Sequence, residues 1–202
     1  MRKFALIVAV CVLVLGTSVA WAQQVDLLVG GGTLLSSSPF TASQNQPVIG
    51  EKGGPYPSAG FDILLHRRYG LNVEGAWKYK QGTYPGFGET YRPILYDVNA
   101  LFQPRLGKRA GLDLMVGAGG ESVLFYQGYS YGCPYASCSN YLNSTHFLEH
   151  LGGGVRYYFW HRWPRVFIRP EVHYYHIQNN REFNSNNVVR AGGSLGFTFG
   201  GK

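Results

Sequence analysis

Charged residues make up 14% of the 202-residue chain, against roughly 25% in an ordinary soluble domain, while Gly numbers 28, Tyr 15 and aromatics reach 15%. That balance argues against a conventional soluble globule. The formal charge of +7 comes without the aromatic-basic cluster of a nucleic-acid module, so an anionic membrane surface is the expected partner and nucleic acid is not.

The chain opens with Arg2 and Lys3, then a run of about thirteen mostly apolar residues from Phe4 to Gly16, then Ala20-Trp21-Ala22 ahead of Gln23. A positive start, a short apolar core and a small-x-small site describe a secretory signal peptide over residues 1–22. As a helical membrane span the run is too short, since about 20 apolar residues are needed. Cys11 would leave with the signal. The mature chain, 23–202, has the size of one domain, and with 16 basic against 11 acidic residues its formal charge is +5. Its remaining cysteines are Cys133 and Cys138, and export to an oxidising compartment favours their pairing. No apolar run after Ala22 approaches helix-spanning length. If the mature chain enters a membrane it must do so as a closed strand barrel, because only helices and barrels satisfy every backbone group in lipid.

Period-two alternation marks eight strands, at about 24–35, 59–67, 71–80, 93–103, 110–127, 145–160, 165–177 and 188–200. In the second, Phe61, Ile63 and Leu65 alternate with Asp62, Leu64 and His66. The third sets Leu71, Val73 and Trp77 against Asn72, Glu74 and Lys78; the fourth sets Tyr96, Val98 and Phe102 against Asp97, Asn99 and Gln103. Leu112, Leu114 and Val116 oppose Asp113 and Met115 in the fifth, and Leu195, Phe197 and Phe199 oppose Arg190, Ser194 and Thr198 in the last. The first and sixth strands alternate less cleanly, and Glu149 falls on the apolar parity of the sixth. In the seventh, RVFIRPEVHYYHI, the row Arg169, Glu171, His173 lies opposite Ile168, Pro170, Val172 and Tyr174. Pro170 cannot donate to a ladder and is expected to mark a bulge.

The connections alternate as well. Long polar stretches follow the odd strands, among them QGTYPGFGETYR and QNNREFNSNN, whereas RRYG, PRLGKR and HRWP follow strands two, four and six. Outer-membrane barrels have short periplasmic turns and long external loops. With this signal peptide, this alternation and the terminal strand GGSLGFTFGG, residues 23–202 resemble the small eight-stranded outer-membrane barrels of the OmpX, Ail and OmpA transmembrane-domain type. The resemblance implies an all-β, antiparallel, up-and-down barrel in the bacterial outer membrane, inserted by the barrel-assembly machinery, in contact with outer-membrane lipids, and a monomer. The aromatic residue that usually ends such chains is replaced by Gly200-Gly201-Lys202 after Phe199.

If the apolar parity meets lipid, the other fills a narrow interior with Asp62, His66, Glu74, Lys78, Asp97, Asp113, Arg156, Arg169, Glu171, His173 and Arg190. Buried charges persist only when paired and hydrogen-bonded, and an eight-stranded barrel is just wide enough for side chains to fill it. A salt-bridged plug follows. Gly30 to Gly32, Gly152 to Gly154 and Gly192-Gly193 would make room for large neighbours.

Chemistry finds little support. GGSLG around Ser194 has the form of a nucleophile elbow, but that motif needs a following helix and a downstream histidine, and six residues remain after Gly196. Lipid-A deacylase barrels carry His and Ser two apart on one face, and no such pair occurs here; Glu171 and His173 share the interior parity. His146 and His150 with Cys133 and Cys138 match zinc spacing poorly. A loop disulfide is expected ahead of a metal site or free thiols, with no catalytic residue, no metal and no cofactor. The expected role is structural or one of surface interaction, an extracellular ligand meeting the loops. The alternatives are a soluble exported lipocalin-like barrel, whose apolar parity would point inward, and a lipid-modifying barrel enzyme.

Overall fold

In the computed structural model the described residues are 24–36, 53–66, 68–83, 90–126, 141–159, 165–180, 183 and 185–200. Residues 1–22, Cys133 and Cys138 lie outside them. The strands are β1 (Gln24–Ser36), β2 (Pro55–His66), β3 (Tyr69–Trp77), β4 (Gly82–Thr83), β5 (Thr90–Phe102), β6 (Ala110–Tyr126), β7 (Tyr141–Tyr158), β8 (Val166–Ile177) and β9 (Asn187–Gly200). Apart from β3 and β4, strands that follow one another along the chain pair antiparallel, β3 pairs with β5, and β1 pairs with β9 from Gln24↔Gly200 to Ser36↔Val188. β4 is only a two-residue extension paired to the start of β5. Eight long strands of 9 to 18 residues therefore close a cylinder; about 9–11 tilted residues suffice to cross a bilayer.

The strand positions follow the alternation, with two informative differences. β2 begins at Pro55, four residues earlier than the pattern suggests, although Pro55 and Pro57 read as strand breakers. Both prolines stand where β2 pairs with β1 alone, since its pairing with β3 starts only at Ser58↔Ala76, and edge-like positions tolerate a missing N–H. Pro170 does not make a bulge. β7 and β8 keep one register from Leu148↔Ile177 to Tyr158↔Phe167, with no pairs formed at Val155 and Arg156, opposite Pro170 and Arg169. The missing donor opens a gap in the ladder and leaves the register intact. Among the described residues, the register shift lies between Leu64 and His66.

One parity of the wall is exposed and apolar: Val29 is 69% exposed, Leu151 60% and Leu195 55%, with Leu114, Val116, Val98 and Val172 on the same outer surface. An apolar outer wall on a closed barrel with charges within is the arrangement for lipid, and it reverses the polarity a soluble ligand-binding barrel requires. Glu149, the misfit on this wall, pairs with His176 one residue from the end of β8 and accepts a hydrogen bond from Gln178 Nε2 at 3.3 Å. It thus sits at the level where β8 ends.

The interior is not polar throughout. Toward the long-loop end, Leu34, Tyr56, Leu95, Leu148, Tyr175, Ile177 and Val188 form one buried apolar layer, above which Phe183 packs on Tyr91 with Val123. Toward the short-turn end, the buried Phe167 ring lies under the Arg156 guanidinium, 4.0 Å from the ring centroid. Gly196 is required there: a Cβ on it would meet the Phe167 ring at 2.0 Å. On the outer wall Tyr96 covers Gly120 in the same way.

Candidate functional site

Between these apolar layers lies a belt of charge whose two signs come from opposite walls. Among the described residues the three buried arginines are on the last strands: Arg156 on β7, Arg169 on β8 and Arg190 on β9, each at most 1% exposed. Asp26, Asp62, Glu74, Asp97 and Asp113 come from β1 to β6, and among the described buried acids only Glu171 shares a wall with the arginines. The guanidinium groups reach across the bore to their partners.

Arg156 meets three carboxylates: Asp26, Asp62 at 2.8 Å and Asp113 at 2.9 Å. Arg169 donates through Nε to Glu171 at 2.7 Å and lies 3.3 Å from both Asp62 and Asp113. Arg190 pairs with Glu74 and stands 3.5 Å from Glu171. Planar guanidinium forks suit such multiple pairing. Gln24 Nε2 donates to Asp26 at 2.9 Å, Gln103 Nε2 to Asp113 at 3.1 Å and Ser194 Oγ to Glu171 at 3.2 Å, which adds some of the further hydrogen bonds a buried ion cluster needs, while Glu74 Oε2, Arg169 Nη2 and Arg190 Nη1 are buried without a hydrogen bond.

A chain of amides and imidazoles extends the belt. Asn72 Nδ2 donates to Asp62 at 2.7 Å, and Asn99 Nδ2 donates to Asn72 Oδ1 at 2.8 Å and to Asp97. Asn99 Oδ1 is then an acceptor, so the His150 Nδ1 that faces it at 2.6 Å carries the hydrogen. His150 Nε2 consequently accepts from His173 Nδ1 at 2.9 Å. The His150 tautomer follows from the amide beside it, and His173 Nε2 faces the Glu171 carboxylate at 3.5 Å. The two rings stack, and Tyr175 stacks on His150 at 4.9 Å, joining the belt to the apolar layer above it.

Of the interior residues named from sequence, Asp62, Glu74, Asp97, Asp113, Arg156, Arg169, Glu171, His173 and Arg190 are buried in this one network. Lys78 lies apart from the belt, just beyond the end of β3 and partly exposed, with Nζ 3.3 Å from the hydroxyl of the buried Tyr91 and over its ring. Its strand parity is right, but the strand ends at Trp77 before it can enter the belt. The side chain of His66 lies outside the described residues. Sequence reasoning missed Asp26, whose signal was hidden by the weak alternation of β1, and His150, read as a partner of His146. Glu121, buried and bonded to Asn180 Nδ2 at 3.2 Å near the mouth, was also missed.

The chemistry available here is narrow. Ser194 donates to a carboxylate and not to an imidazole, so its neighbours do not form the nucleophile–base pair that covalent catalysis needs. Glu74, Glu171 and His173 bring ligand atoms within 4.8 Å of one another, as a metal site would. Arg190, however, contacts both carboxylates, and Arg169 approaches Glu74 at 3.7 Å. The positive charge a metal would contribute is already present.

A closed eight-stranded barrel with an apolar outer wall and a buried ionic belt is a small transmembrane barrel of the outer-membrane type. The chain is similar in structure to Ail, the attachment invasion locus protein of Yersinia pestis, in its complex with the heparin analogue sucrose octasulfate, with a TM-score of 0.56 at 12% identity over 87% of this chain and 98% of that one. Neisserial surface protein A matches with a TM-score of 0.57 at 11% identity, covering 87% and 96%. The N-terminal β-barrel domain of Pseudomonas aeruginosa OprF matches at 0.50 and 13%, covering 88% and 98%. No family model matches the sequence, and no curated protein matches it.

Proposed function

We propose that this outer-membrane barrel is a non-catalytic, monomeric surface protein. In this reading the chain is exported by residues 1–22, inserted by the barrel-assembly machinery, and uses its wall as a rigid mount for the long loops, with Cys133 and Cys138 joined in the third. The observation that carries it is the ionic belt: Arg156, Arg169 and Arg190 are buried and engaged by carboxylates of the same chain. Charges committed to the wall are not offered to a substrate. The loops, rich in Tyr, Asn, Ser and Gly, have the composition of adaptable binding surfaces.

The test replaces residues 127–140 by a short Gly-Ser turn. The variant should keep its heat-dependent gel mobility, lose binding to glycan or matrix surfaces that wild type retains, and leave the lipid A of expressing cells unchanged in mass. A lipid A mass change that depends on the barrel would replace this reading with an enzymatic one.

A further inference from the structure

The short-turn rim combines base and aromatic side chains in a repeated way. Arg68, Arg105, Lys108, Arg109 and Arg165 are all exposed there, and residues 66–70, 103–111 and 158–166 contain no Asp or Glu. The long segments between the other strand ends mix Glu51, Glu89 and Glu182 with Lys52, Lys78, Lys80 and Arg181, so the two signs nearly offset there and the uncompensated basic charge belongs to the short turns.

Three main-chain hydrogen bonds tie bases to exposed aromatic pairs. The Arg68 carbonyl accepts from Gln103 N at 2.7 Å, beside Tyr69 stacked on Phe102 at 5.0 Å. The Arg109 carbonyl accepts from Tyr158 N at 2.9 Å, between Tyr157 and Phe159, whose rings meet edge-on. The Arg165 carbonyl accepts from Thr198 N at 2.7 Å, between Phe197 and Phe199. Aromatic rings on a membrane barrel settle at headgroup level. The main chain of a base is therefore anchored beside each pair, which brings its exposed side chain within reach of the lipid phosphates.

We infer that the rim formed by Arg68, Arg109 and Arg165, with Arg105 and Lys108, selects anionic phospholipids of the phosphatidylglycerol class in the leaflet bordering the short turns. The inference rests on the outer-membrane reading above. A soluble anionic polymer could use the charge, but the aromatic pairs that set its depth address a bilayer.

The experiment folds the mature barrel into phosphatidylcholine vesicles and compares the association of spin-labelled phosphatidylglycerol and phosphatidylcholine. It scores only inserted protein, identified by heat-dependent mobility; failure to insert would count against the barrel reading itself. Phosphatidylglycerol should be preferred about threefold or more, less than full additivity of a surface-attraction term of that kind per base would give. The preference should shrink with added salt, vanish in Arg68→Gln/Arg109→Gln/Arg165→Gln, and persist both in the corresponding triple Lys variant and in Lys52→Gln/Lys80→Gln at the opposite end. Equal association of the two lipids with wild type overturns the inference, as does a preference that survives the triple Gln variant. So would binding to isolated peptidoglycan that needs the same arginines without any lipid preference.

Discussion

The two halves of the barrel interior are built from the same wall and filled in opposite ways. On the short-turn side the inward parity carries Asp26, Asp62, Asp113, Arg156 and Arg169, while on the long-loop side it carries Leu34, Tyr56, Leu95, Leu148 and Ile177. The difference teaches that strand parity decides which face a residue occupies, not what that face must contain. A narrow bore can be filled by paired charge or by apolar volume, and here the apolar layer also keeps water from the charges beneath it. Low dielectric strengthens the ion pairs and raises the cost of leaving one incomplete.

The largest effect should come from breaking the charged half. Arg156→Ala leaves Asp26 with no arginine and Asp62 and Asp113 with Arg169 alone, and removing one member of a buried pair costs about 3–5 kcal/mol. Loss of the folded gel band, or a large drop in the urea midpoint in lipid vesicles, is expected, with recovery when Asp113→Asn and Asp26→Asn are added. Breaking the apolar half is next: Leu148→Ala should cost about 2–5 kcal/mol through the cavity it leaves, read as a shifted midpoint with the folded band retained. At the boundary, Lys78→Gln should cost under about 1 kcal/mol, as for other partly solvated charges. A loss for Lys78→Gln as large as that for Arg156→Ala would place Lys78 in the belt after all.

Much of this molecule could be read from its sequence because the wall repeats a simple rule. RVFIRPEVHYYHI shows it best: Phe167, Arg169, Glu171, His173 and Tyr175 are buried, and the residues between them face outward. The rest was hidden for specific reasons. Leu34 and Leu148 occupy the inward parity, yet an inward leucine has the same signature in sequence as a lipid-facing one. Asp26 stands in a strand with three consecutive glycines, which blur its alternation. The partners of Arg156 on β1 and β2 depend on the stagger of strands around the cylinder, which fixes what meets across the bore. Short-range spacing carries no record of that stagger.

The positions of those partners also tie the belt to closure of the cylinder. Arg156 is on β7, and of its three carboxylates only Asp113 belongs to a neighbouring strand, β6; Asp26 and Asp62 come from the far side. A sheet zipped from β2 to β8 but still open would hold these charges at a wet surface, with little gained from any of them. Only when the first strand meets the last does the arginine acquire its full company in a dry place. The belt thus acts as a latch that engages at the end, favouring the finished cylinder over every partly rolled sheet that precedes it.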